Sequence, residues 1–309
     1  MNIVVIGAGG FLGNHLLRSF LTQTKNFKLT VFSSTLKPGN PSYKIQYYHW
    51  PENSLADAVY KQAVCNADII IYAAGAGIQP KTETDERTIY ELNLYEPARL
   101  VTTLTSCGFK GQLISFGSYF ELGVTQLHAP FDEKKFVEQL NPLPNAYCVA
   151  KKQFTIFYHI YENISKPFKW LHLVLTNIYG PGENENRLIP YIISEAKSGK
   201  PLHFTQGIQK RQYTFIADVI NVVHSLLGSA SGIYHVTNKE VVTVKDVILE
   251  AARQVEENCG LKPTLHFDVA GGRDTDMNYL ALNPAKLYSE WNLACDTSYQ
   301  GGIHSYFKR

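Results

Sequence analysis

Near the amino terminus a short apolar run leads directly into a cluster of glycines: Asn2-Ile3-Val4-Val5-Ile6-Gly7-Ala8-Gly9-Gly10-Phe11-Leu12-Gly13. The β-branched run predicts a buried strand, and the residues from Phe11 onward have a helical pattern. Glycines between such a strand and helix let the backbone approach a bound pyrophosphate, and the helix amino terminus offers free N–H groups. The spacing is G-x-x-G-x-x-G, one residue different from the G-x-G-x-x-G form. We therefore predict a dinucleotide-binding turn formed by Gly7, Gly10, Phe11, Leu12 and Gly13.

The end of the second predicted strand bears on which dinucleotide binds. Proteins of this architecture that bind NAD usually carry an acidic residue there, which holds the adenosine ribose. Here the strand Leu29–Phe32 is followed by Ser33 and Ser34, and then by Lys37. Hydroxyls and a lysine can hold a 2′-phosphate by charge-assisted hydrogen bonds, whereas an acid would repel it. These residues favour NADP(H); NAD(H) stays open, because a serine-rich turn can also be unrelated to the cofactor.

The first 120 residues alternate short β-branched runs with helix-patterned stretches, which is typical of βαβ units in a parallel sheet. The predicted strands are Asn2–Ile6, Lys28–Phe32, Ala67–Tyr72, Gln112–Phe116, Leu171–Leu175 and Gly232–Val236. The predicted helices are Phe11–Thr22, Asn53–Val64, Glu86–Ser106 and one from near Asn145 toward Glu162. The predicted fold class is α/β, a Rossmann doubly wound parallel sheet with a smaller C-terminal substrate-binding lobe. We place the Rossmann domain at 1–178 and mainly the lobe at 179–309, with about 210–238 returning partly to the sheet.

The composition is that of a folded, nearly neutral protein. Of 309 residues 45% are apolar, and 29 basic against 27 acidic side chains give a formal net charge of +2. No run of Lys and Arg exceeds two residues, which argues against a nucleic-acid or anionic-membrane partner. Without a signal-peptide pattern or an apolar run of about 18 residues, we expect a soluble, cytoplasmic protein. The five cysteines lack metal-ligand spacing, so we expect no metal and mostly core thiols in a reducing compartment.

A tyrosine and a lysine stand four residues apart in the stretch Asn145-Ala146-Tyr147-Cys148-Val149-Ala150-Lys151. This spacing places the two side chains on one face of a helix. An ammonium beside a phenol stabilises the phenolate and lowers the phenol pKa, so the tyrosine becomes a better proton shuttle near neutral pH. Tyr147 and Lys151 are therefore a candidate catalytic pair. Motifs of zinc peptidases, P-loop NTPases and serine hydrolases are absent from the sequence.

The glycine turn, the run Asn66–Ala74 and the Tyr147–Lys151 pair, in this order, resemble the extended short-chain dehydrogenase/reductase family. More specifically, they resemble its NAD(P)-dependent nucleotide-sugar epimerase, dehydratase and reductase branch, and the resemblance spans essentially the whole chain. It implies that Tyr147 and Lys151 are catalytic. It also implies cofactor contacts by Ala73, Ala74, Asn93, Tyr147 and Lys151.

The resemblance assigns a third catalytic residue just past the strand Gln112–Phe116. In the family a Ser or Thr stands there ahead of a V-Y-G sequence. Ser118 matches this position, with Leu122 in place of the usual tyrosine before Gly123. Ser115, on the strand, is the less favoured alternative.

The second half of the chain resembles the substrate-binding segments of the same branch. Thr176–Glu183 is similar to an N-x-Y-G-P-G segment whose asparagine contacts a sugar diphosphate, and Lys210–Val219 is similar to a run whose arginine contacts the same group. A guanidinium suits this task because its planar fork binds phosphate oxygens bidentately. The resemblance implies substrate contacts by Ser118, Asn177, Arg187, Arg211, Tyr213 and Arg273.

For carbonyl reduction the resemblance implies that Tyr147 protonates the C4 oxygen of a sugar and that Ser118 hydrogen-bonds the same oxygen. Lys151 would hold the nicotinamide ribose. Family dehydratases carry Asp-Glu directly after their catalytic Thr, where this chain has Tyr119 and Phe120. Dehydration is therefore disfavoured, and Glu121 stands one position too far along to replace those acids.

We predict an NADPH-dependent reductase of the 4-keto group of a nucleotide-linked deoxyhexose, with CDP, dTDP, GDP or UDP as the nucleotide. It would be similar to the CDP- and dTDP-4-keto-deoxysugar reductases, including the abequose and paratose synthases. The alternatives are an NAD-dependent nucleotide-sugar 4-epimerase of the same family and a non-catalytic NADP-binding sensor or scaffold. The resemblance also implies a homodimer built from the helix after Glu86 and the Tyr147 helix.

Overall fold

The fold is described by a computed structural model over residues 1–22, 27–34, 45–50, 54, 56–77, 84–164, 168–267 and 276–308. Its strands are β1 (Asn2–Ile6), β2 (Lys28–Ser33), β3 (Ile45–His49), β4 (Ile69–Tyr72), β5 (Gln112–Ser118), β6 (Lys169–Leu175), β7 (Asn177–Tyr179), β8 (Leu202–His203), β9 (Lys210–Arg211), β10 (Tyr213–Phe215), β11 (Gly232–Val236), β12 (Val242–Thr243) and β13 (Leu265–His266). Seven of them form one sheet in the order β11-β6-β5-β4-β1-β2-β3, and every neighbouring pair is parallel.

Helices connect these strands. They are α1 (Phe11–Thr22), α2 (Ala58–Cys65), α3 (Glu86–Tyr90), α4 (Glu96–Ser106), α5 (Glu133–Glu138), α6 (Ala146–Ile164), α7 (Leu188–Lys197), α8 (Ile216–Leu226), α9 (Val244–Cys259), α10 (Ala285–Trp291) and α11 (Tyr299–His304). A π-helical turn, Glu91–Tyr95, joins α3 to α4, and 3-10 turns lie at Tyr119–Leu122 and Ser305–Phe307.

Apolar side chains cover both faces of the main sheet, because neighbouring residues of a strand point to opposite sides. Ile3 and Val5 pack in the cluster that includes α1 and α8, whereas Val4 and Ile6 pack in the cluster that includes α2, α4 and α6. All residues of β4 and β5 are buried, as expected for central parallel strands. The prediction of a Rossmann doubly wound α/β sheet is confirmed, and the strand order reverses between β1 and β4, where such sheets bind ligands.

Several predicted elements have the observed bounds, and others differ. β1, α1 and β11 match the predictions, and Asn145 caps α6 by accepting a 3.0 Å hydrogen bond from the Cys148 amide. The predicted helix Glu86–Ser106 is helical throughout but contains the π-helical turn. The predicted helix Asn53–Val64 begins too early, because Asp57 accepts the capping bond of α2.

A further hydrophobic cluster lies in the C-terminal half, where α7, α9 and α11 pack together. The short pairs β7–β10, β9–β12 and β8–β13 connect these helices. Within the stretch 210–238, α8 packs on the main sheet and β11 pairs with β6, while β9 and β10 pair within the C-terminal half. The domain division at residue 178 stays a prediction.

All five cysteines lie among the described residues. Cys65 and Cys107 form a disulfide that joins the end of α2 to the residue after α4, with their Cα atoms 6.1 Å apart. Cys148 and Cys295 are buried thiols and Cys259 is exposed. The expectation that most cysteines are core thiols is therefore wrong, because the fold brings together two cysteines that are 42 residues apart. Within the described ranges, no helix combines the length and apolarity needed to cross a membrane.

Candidate active site

Two adjoining cavities lie where β1, β4 and β5 end. The inner cavity, of about 220 Å³, is lined by residues at or after the ends of these strands, by residues of α6 and by residues within 175–187. The outer cavity, of about 550 Å³, extends toward the C-terminal half. The two cavities share the lining residues Phe120, Tyr147, Asn177, Ile178, Glu183 and Arg187. A ligand in one cavity can therefore meet a ligand in the other at Tyr147.

The glycine turn after β1 is shaped by two very close backbone approaches. Gly7 has a φ of +87°, and a Cβ on it would lie 2.5 Å from the backbone nitrogen of Ala74. A Cβ on Gly13 would lie 2.4 Å from the Gly7 carbonyl oxygen. The first turn of α1 consequently sits directly against the strand end, in the arrangement that cradles a pyrophosphate. Of the predicted residues, the turn brings to the inner cavity Gly10, Phe11 and Leu12.

The π-helical turn Glu91–Tyr95 places Asn93 at the inner cavity. Asn93 is 1% exposed, and its Nδ2 donates to the carbonyls of Ala76 at 2.9 Å and Ile89 at 2.8 Å. Its Oδ1 has no hydrogen-bond partner in the described part of the chain and lies where a Cβ on Gly75 would approach to 2.9 Å. A buried amide oxygen that accepts no hydrogen bond from the described residues fits a ligand that supplies a hydrogen-bond donor. The same cavity is lined by the other predicted cofactor residues Ala73, Ala74, Tyr147 and Lys151.

The end of β2, where an acidic residue would favour NAD, carries Ser33 and Ser34. Ser33 is 4% exposed, and its carbonyl accepts a 3.3 Å hydrogen bond from the Trp50 amide. Ser34 follows in an exposed bend. Neither serine lines the inner or the outer cavity. Lys37 lies outside the described residues, so contact with a 2′-phosphate stays a prediction.

Ser118, the last residue of β5, lines the inner cavity. Its hydroxyl caps the following 3-10 turn by accepting from the Phe120 amide at 3.3 Å, and its own amide donates to Glu121 Oε1 at 2.7 Å. The alternative, Ser115, is 1% exposed, and its hydroxyl accepts from the Trp170 indole at 2.8 Å. The structure thus brings Ser118 to the cavity and keeps Ser115 in the core.

Tyr147 and Lys151 share one face of α6, as the spacing predicts. Lys151 Nζ donates to the Phe116 carbonyl at 3.0 Å, and burial lowers its pKa to about 8. Burial raises the pKa of Tyr147, while the hydrogen bond from the Ser118 hydroxyl and the charge of Arg187 lower it. Lys151 is not among the groups that shift this pKa most, and its ammonium donates to the β5 backbone, so its lowering of the Tyr147 pKa stays a prediction. At neutral pH the Tyr147 side chain is a phenol with a proton to give.

The predicted substrate residues gather around the outer cavity. Asn177 on β7, Tyr213 on β10 and Arg187, which precedes α7, all line it. Arg211 on β9 also lines it although the residue is 2% exposed, and its Nη1 donates to the Lys210 carbonyl at 2.9 Å. A buried guanidinium facing a cavity is a strong anion site. Arg273 lies outside the described residues.

Glu183 and Tyr306 are parts of this site that the sequence did not predict. Glu183 lines both cavities, and its carboxylate lies 3.7 Å from Arg187 Nε. Burial raises its pKa to about 7. Tyr306 donates a hydrogen bond to Glu183 and accepts one from the Gly180 amide at 2.8 Å, so the C-terminal turn anchors the cavity wall. Glu183 belongs to the Thr176–Glu183 segment, but Tyr306 is more than a hundred residues away and has no sequence signal.

Fold and site together define a Rossmann-fold enzyme with a nicotinamide-dinucleotide site and a tyrosine between the two cavities. Comparison with known families gives a match to the NAD dependent epimerase/dehydratase family over residues 3–238. The chain belongs to this family. Tyr147 lines both cavities and carries a phenol proton, which suits such an enzyme.

Relatives carry several different activities. CDP-abequose synthase of Salmonella typhimurium is 25% identical, and the similarity covers 99% of this chain and 97% of that protein. dTDP-glucose 4,6-dehydratase of Streptomyces niveus is 21% identical over 98% of this chain and 90% of that one. The structure of Thermus thermophilus UDP-glucose 4-epimerase in complex with NAD superposes with a TM-score of 0.80 at 20% identity, covering 99% of this chain and 98% of that one.

Proposed function

We propose that this enzyme is an NADPH-dependent reductase of the 4-keto group of a nucleotide-linked deoxyhexose. The observation that carries the choice of reductase is the end of β2, where Ser33 takes the place of an acid and so favours a phosphorylated, exchanging dinucleotide. The similarity to CDP-abequose synthase over nearly the whole chain supports the same class of substrate. Tyr147 with Ser118, between the two cavities, supplies the required proton donor.

In the proposed reaction the dinucleotide supplies the hydride that reduces C4. The Tyr147 phenol gives its proton to the C4 oxygen, and the Ser118 hydroxyl hydrogen-bonds that oxygen while its charge develops. Lys151, which lines the inner cavity, would hold the nicotinamide ribose. The ketone becomes an alcohol by gaining the hydride at C4 and the Tyr147 proton at its oxygen.

The segment after Ser118 disfavours dehydration. Tyr119 is completely buried, and Phe120 presents an aromatic ring to both cavities, 6.4 Å from the ring of Tyr147. Glu121 lines neither cavity. This segment therefore offers no carboxylate for the elimination of water across C5 and C6.

The proposal is tested by incubating the enzyme with NADPH and CDP- or dTDP-4-keto-6-deoxyglucose. We expect one NADPH oxidised for each sugar reduced, followed by absorbance and by product analysis. A parallel incubation with NAD⁺ and a 4-hydroxy nucleotide sugar tests the epimerase alternative, which interconversion of the C4 epimers without net change of the dinucleotide would establish. Failure to bind either dinucleotide in a fluorescence titration would establish a protein without redox activity.

Replacement of Ser33 by Asp is expected to weaken NADPH binding by more than about tenfold and to favour NADH. The new carboxylate repels the 2′-phosphate and can accept hydrogen bonds from an unmodified ribose. Ser33→Asn is the matched control, because it adds nearly the same volume at this buried position without the charge. If the Asp and Asn variants bind both dinucleotides alike, the assignment of the β2 end is wrong.

Replacement of Arg211 by Met is expected to raise the KM for the sugar nucleotide by about 10- to 100-fold, because the buried cation would pair with the diphosphate. The dissociation constant of NADPH should stay unchanged. Arg211→Lys keeps the charge but loses the planar guanidinium fork. Its KM should therefore lie between that of the native enzyme and that of Arg211→Met. Equal effects on substrate and NADPH would remove Arg211 from the substrate site.

A homodimer belongs to the same proposal. The π-helical turn and α6 lie against each other, and Tyr95 and Ile160 expose about half of their surface on these elements. Their exposure supports a paired four-helix contact between two copies of the chain.

A further inference from the structure

A carboxylate lies beneath the candidate active site and lines neither cavity. Glu121 belongs to the 3-10 turn that follows β5, and the residue is completely buried. A buried carboxylate is costly unless donors and cations surround it. The proposed reaction does not use Glu121 as an acid or base, so another role must account for it.

The carboxylate holds the backbone of Ser118 directly. Glu121 Oε1 accepts from the Ser118 amide at 2.7 Å, while the Ser118 hydroxyl accepts from the Phe120 amide, so the turn is closed from both ends. Gly117 gives it room, since a Cβ there would lie 2.9 Å from the same oxygen. The turn is fastened further by Gln139 Nε2, which donates to the Glu121 carbonyl at 2.7 Å.

Two lysines of α6 provide the positive charge near Glu121. Burial raises the Glu121 pKa, and the charges of Lys152 and Lys151 oppose this by lowering it. The carboxylate in turn raises the pKa of both lysines against the effect of burial. Lys152 Nζ is tied to the carbonyls of Phe136 and Val137 at 2.6 and 3.0 Å. Lys151 thus lines the inner cavity and has its pKa raised by the Glu121 charge.

Two further groups near Glu121 in the described part of the chain, Thr155 and His172, carry no charge. The Thr155 hydroxyl lowers the Glu121 pKa and shares a 3.0 Å hydrogen bond with His172 Nε2. Burial lowers the pKa of His172 to about 3, so this imidazole of β6 is neutral. Three ionisable groups change the pKa of Tyr147. Glu121 and Cys148 raise it, and Arg187 lowers it.

We propose that Glu121 is a positioning residue of the reaction, whose carboxylate fixes the Ser118 hydroxyl at the cavity and balances the charge of Lys151 from below. This inference rests on the proposed function, because it assumes that Ser118, Tyr147 and Lys151 act on the substrate. Glu121 touches neither substrate nor dinucleotide. It acts through the backbone of Ser118 and through its negative charge.

The test replaces Glu121 by Gln, which keeps an oxygen for the Ser118 amide but removes the charge. Since the carboxylate raises the pKa of Lys151 and Tyr147, its loss lowers both values. The ammonium and the phenol then lose their protons at lower pH. We expect kcat measured at pH 8 and above to fall by about five- to tenfold, because a smaller fraction of Lys151 is then protonated. Burial lowers the Lys151 pKa to about 8, so we expect Lys151 to give the native enzyme an alkaline limb of kcat. In Glu121→Gln this limb should move down by about one pH unit, with KM unchanged.

Glu133→Gln is the matched control, because Glu133 is also buried and also accepts from a backbone amide, that of His235, at 3.1 Å. It lines neither cavity, so its kcat and pH profile should equal those of the native enzyme. An unchanged alkaline limb in Glu121→Gln would overturn the inference.

A second variant separates the two roles of Glu121, which are to hold the Ser118 amide and to supply negative charge near Lys151. It also tests the inference if Glu121→Gln does not fold. Glu121→Asp keeps the charge but is too short to hold the Ser118 amide, so kcat should fall while the alkaline limb stays. Native kcat in Glu121→Asp would overturn the positioning of Ser118. If the native enzyme turns over no 4-keto sugar, the proposed function fails; the inference is then judged by absorbance. Subtracting the absorbance titration of Tyr147→Phe from that of the parent protein isolates the ionisation of the Tyr147 phenol. This phenol must ionise at lower pH in Glu121→Gln than in the native protein.

Discussion

Tyr147→Phe is expected to lower kcat by about 10²- to 10⁴-fold while leaving the dissociation constant of NADPH nearly unchanged. The substitution removes one hydroxyl and keeps the ring. That ring lines both cavities and packs edge-on against Phe120. The binding surface for both ligands should therefore survive, and only the proton source is lost.

The direction of the Tyr147 pKa supports this expectation. Burial raises the pKa, so at neutral pH the side chain carries the proton that a ketone reduction consumes. The Ser118 hydroxyl and Arg187 stabilise the phenolate that remains after the transfer, because both lower the pKa. An alternative proton donor would have to reach the same point between the cavities.

Tyr158→Phe is the control for this experiment. Tyr158 lies on the same helix, is 3% exposed and packs in the core without lining either cavity. Single-turnover kinetics with NADPH and a 4-keto sugar nucleotide should show native rates for Tyr158→Phe. If Tyr147→Phe also reduces the ketone at the native rate, Tyr147 is not the proton donor.

The parts of this fold that the sequence predicts are those encoded by neighbouring residues. The apolar run and glycines of β1 and α1 lie together in the chain, and so do Tyr147 and Lys151, since four residues fix one helix face. β3 was not predicted, because this edge strand, Ile45–His49, buries only its first residue and has no continuous apolar run. The π-helical turn Glu91–Tyr95 was also missed, because it leaves the helical pattern of Glu86–Ser106 unbroken.

The missing parts of the site depend on long-range packing. Tyr306 meets Gly180 and Glu183 only after the C-terminal turn folds back. Glu121 stood out in the sequence only as an acid at the wrong distance from Ser118, whereas its importance comes from burial beneath that residue. Residue identity and spacing did not reveal the direction of this side chain.

Gly13→Ala is expected to lower the free energy of unfolding by about 1 to 3 kcal/mol and to abolish dinucleotide binding. The added methyl group would stand 2.4 Å from the Gly7 carbonyl oxygen and 2.8 Å from the Ala8 Cα. Both are backbone atoms, so relief requires that α1 move away from β1. Alanine favours a helix over glycine by about 1 kcal/mol, so a loss of stability can come only from this contact.

Gly10→Ala separates stability from ligand binding in the same turn. A Cβ on Gly10 would have the Gly7 carbonyl oxygen at 3.5 Å as its nearest neighbour, an ordinary contact, and Gly10 lines the inner cavity. The variant should unfold at the native temperature in calorimetry, yet bind NADPH more than about tenfold more weakly, because its methyl group occupies the path of the pyrophosphate. Native NADPH affinity in Gly10→Ala would place the pyrophosphate elsewhere. A native melting temperature in Gly13→Ala would contradict the close approach of α1 to β1, since each kcal/mol lost should lower it by roughly 2–4 °C.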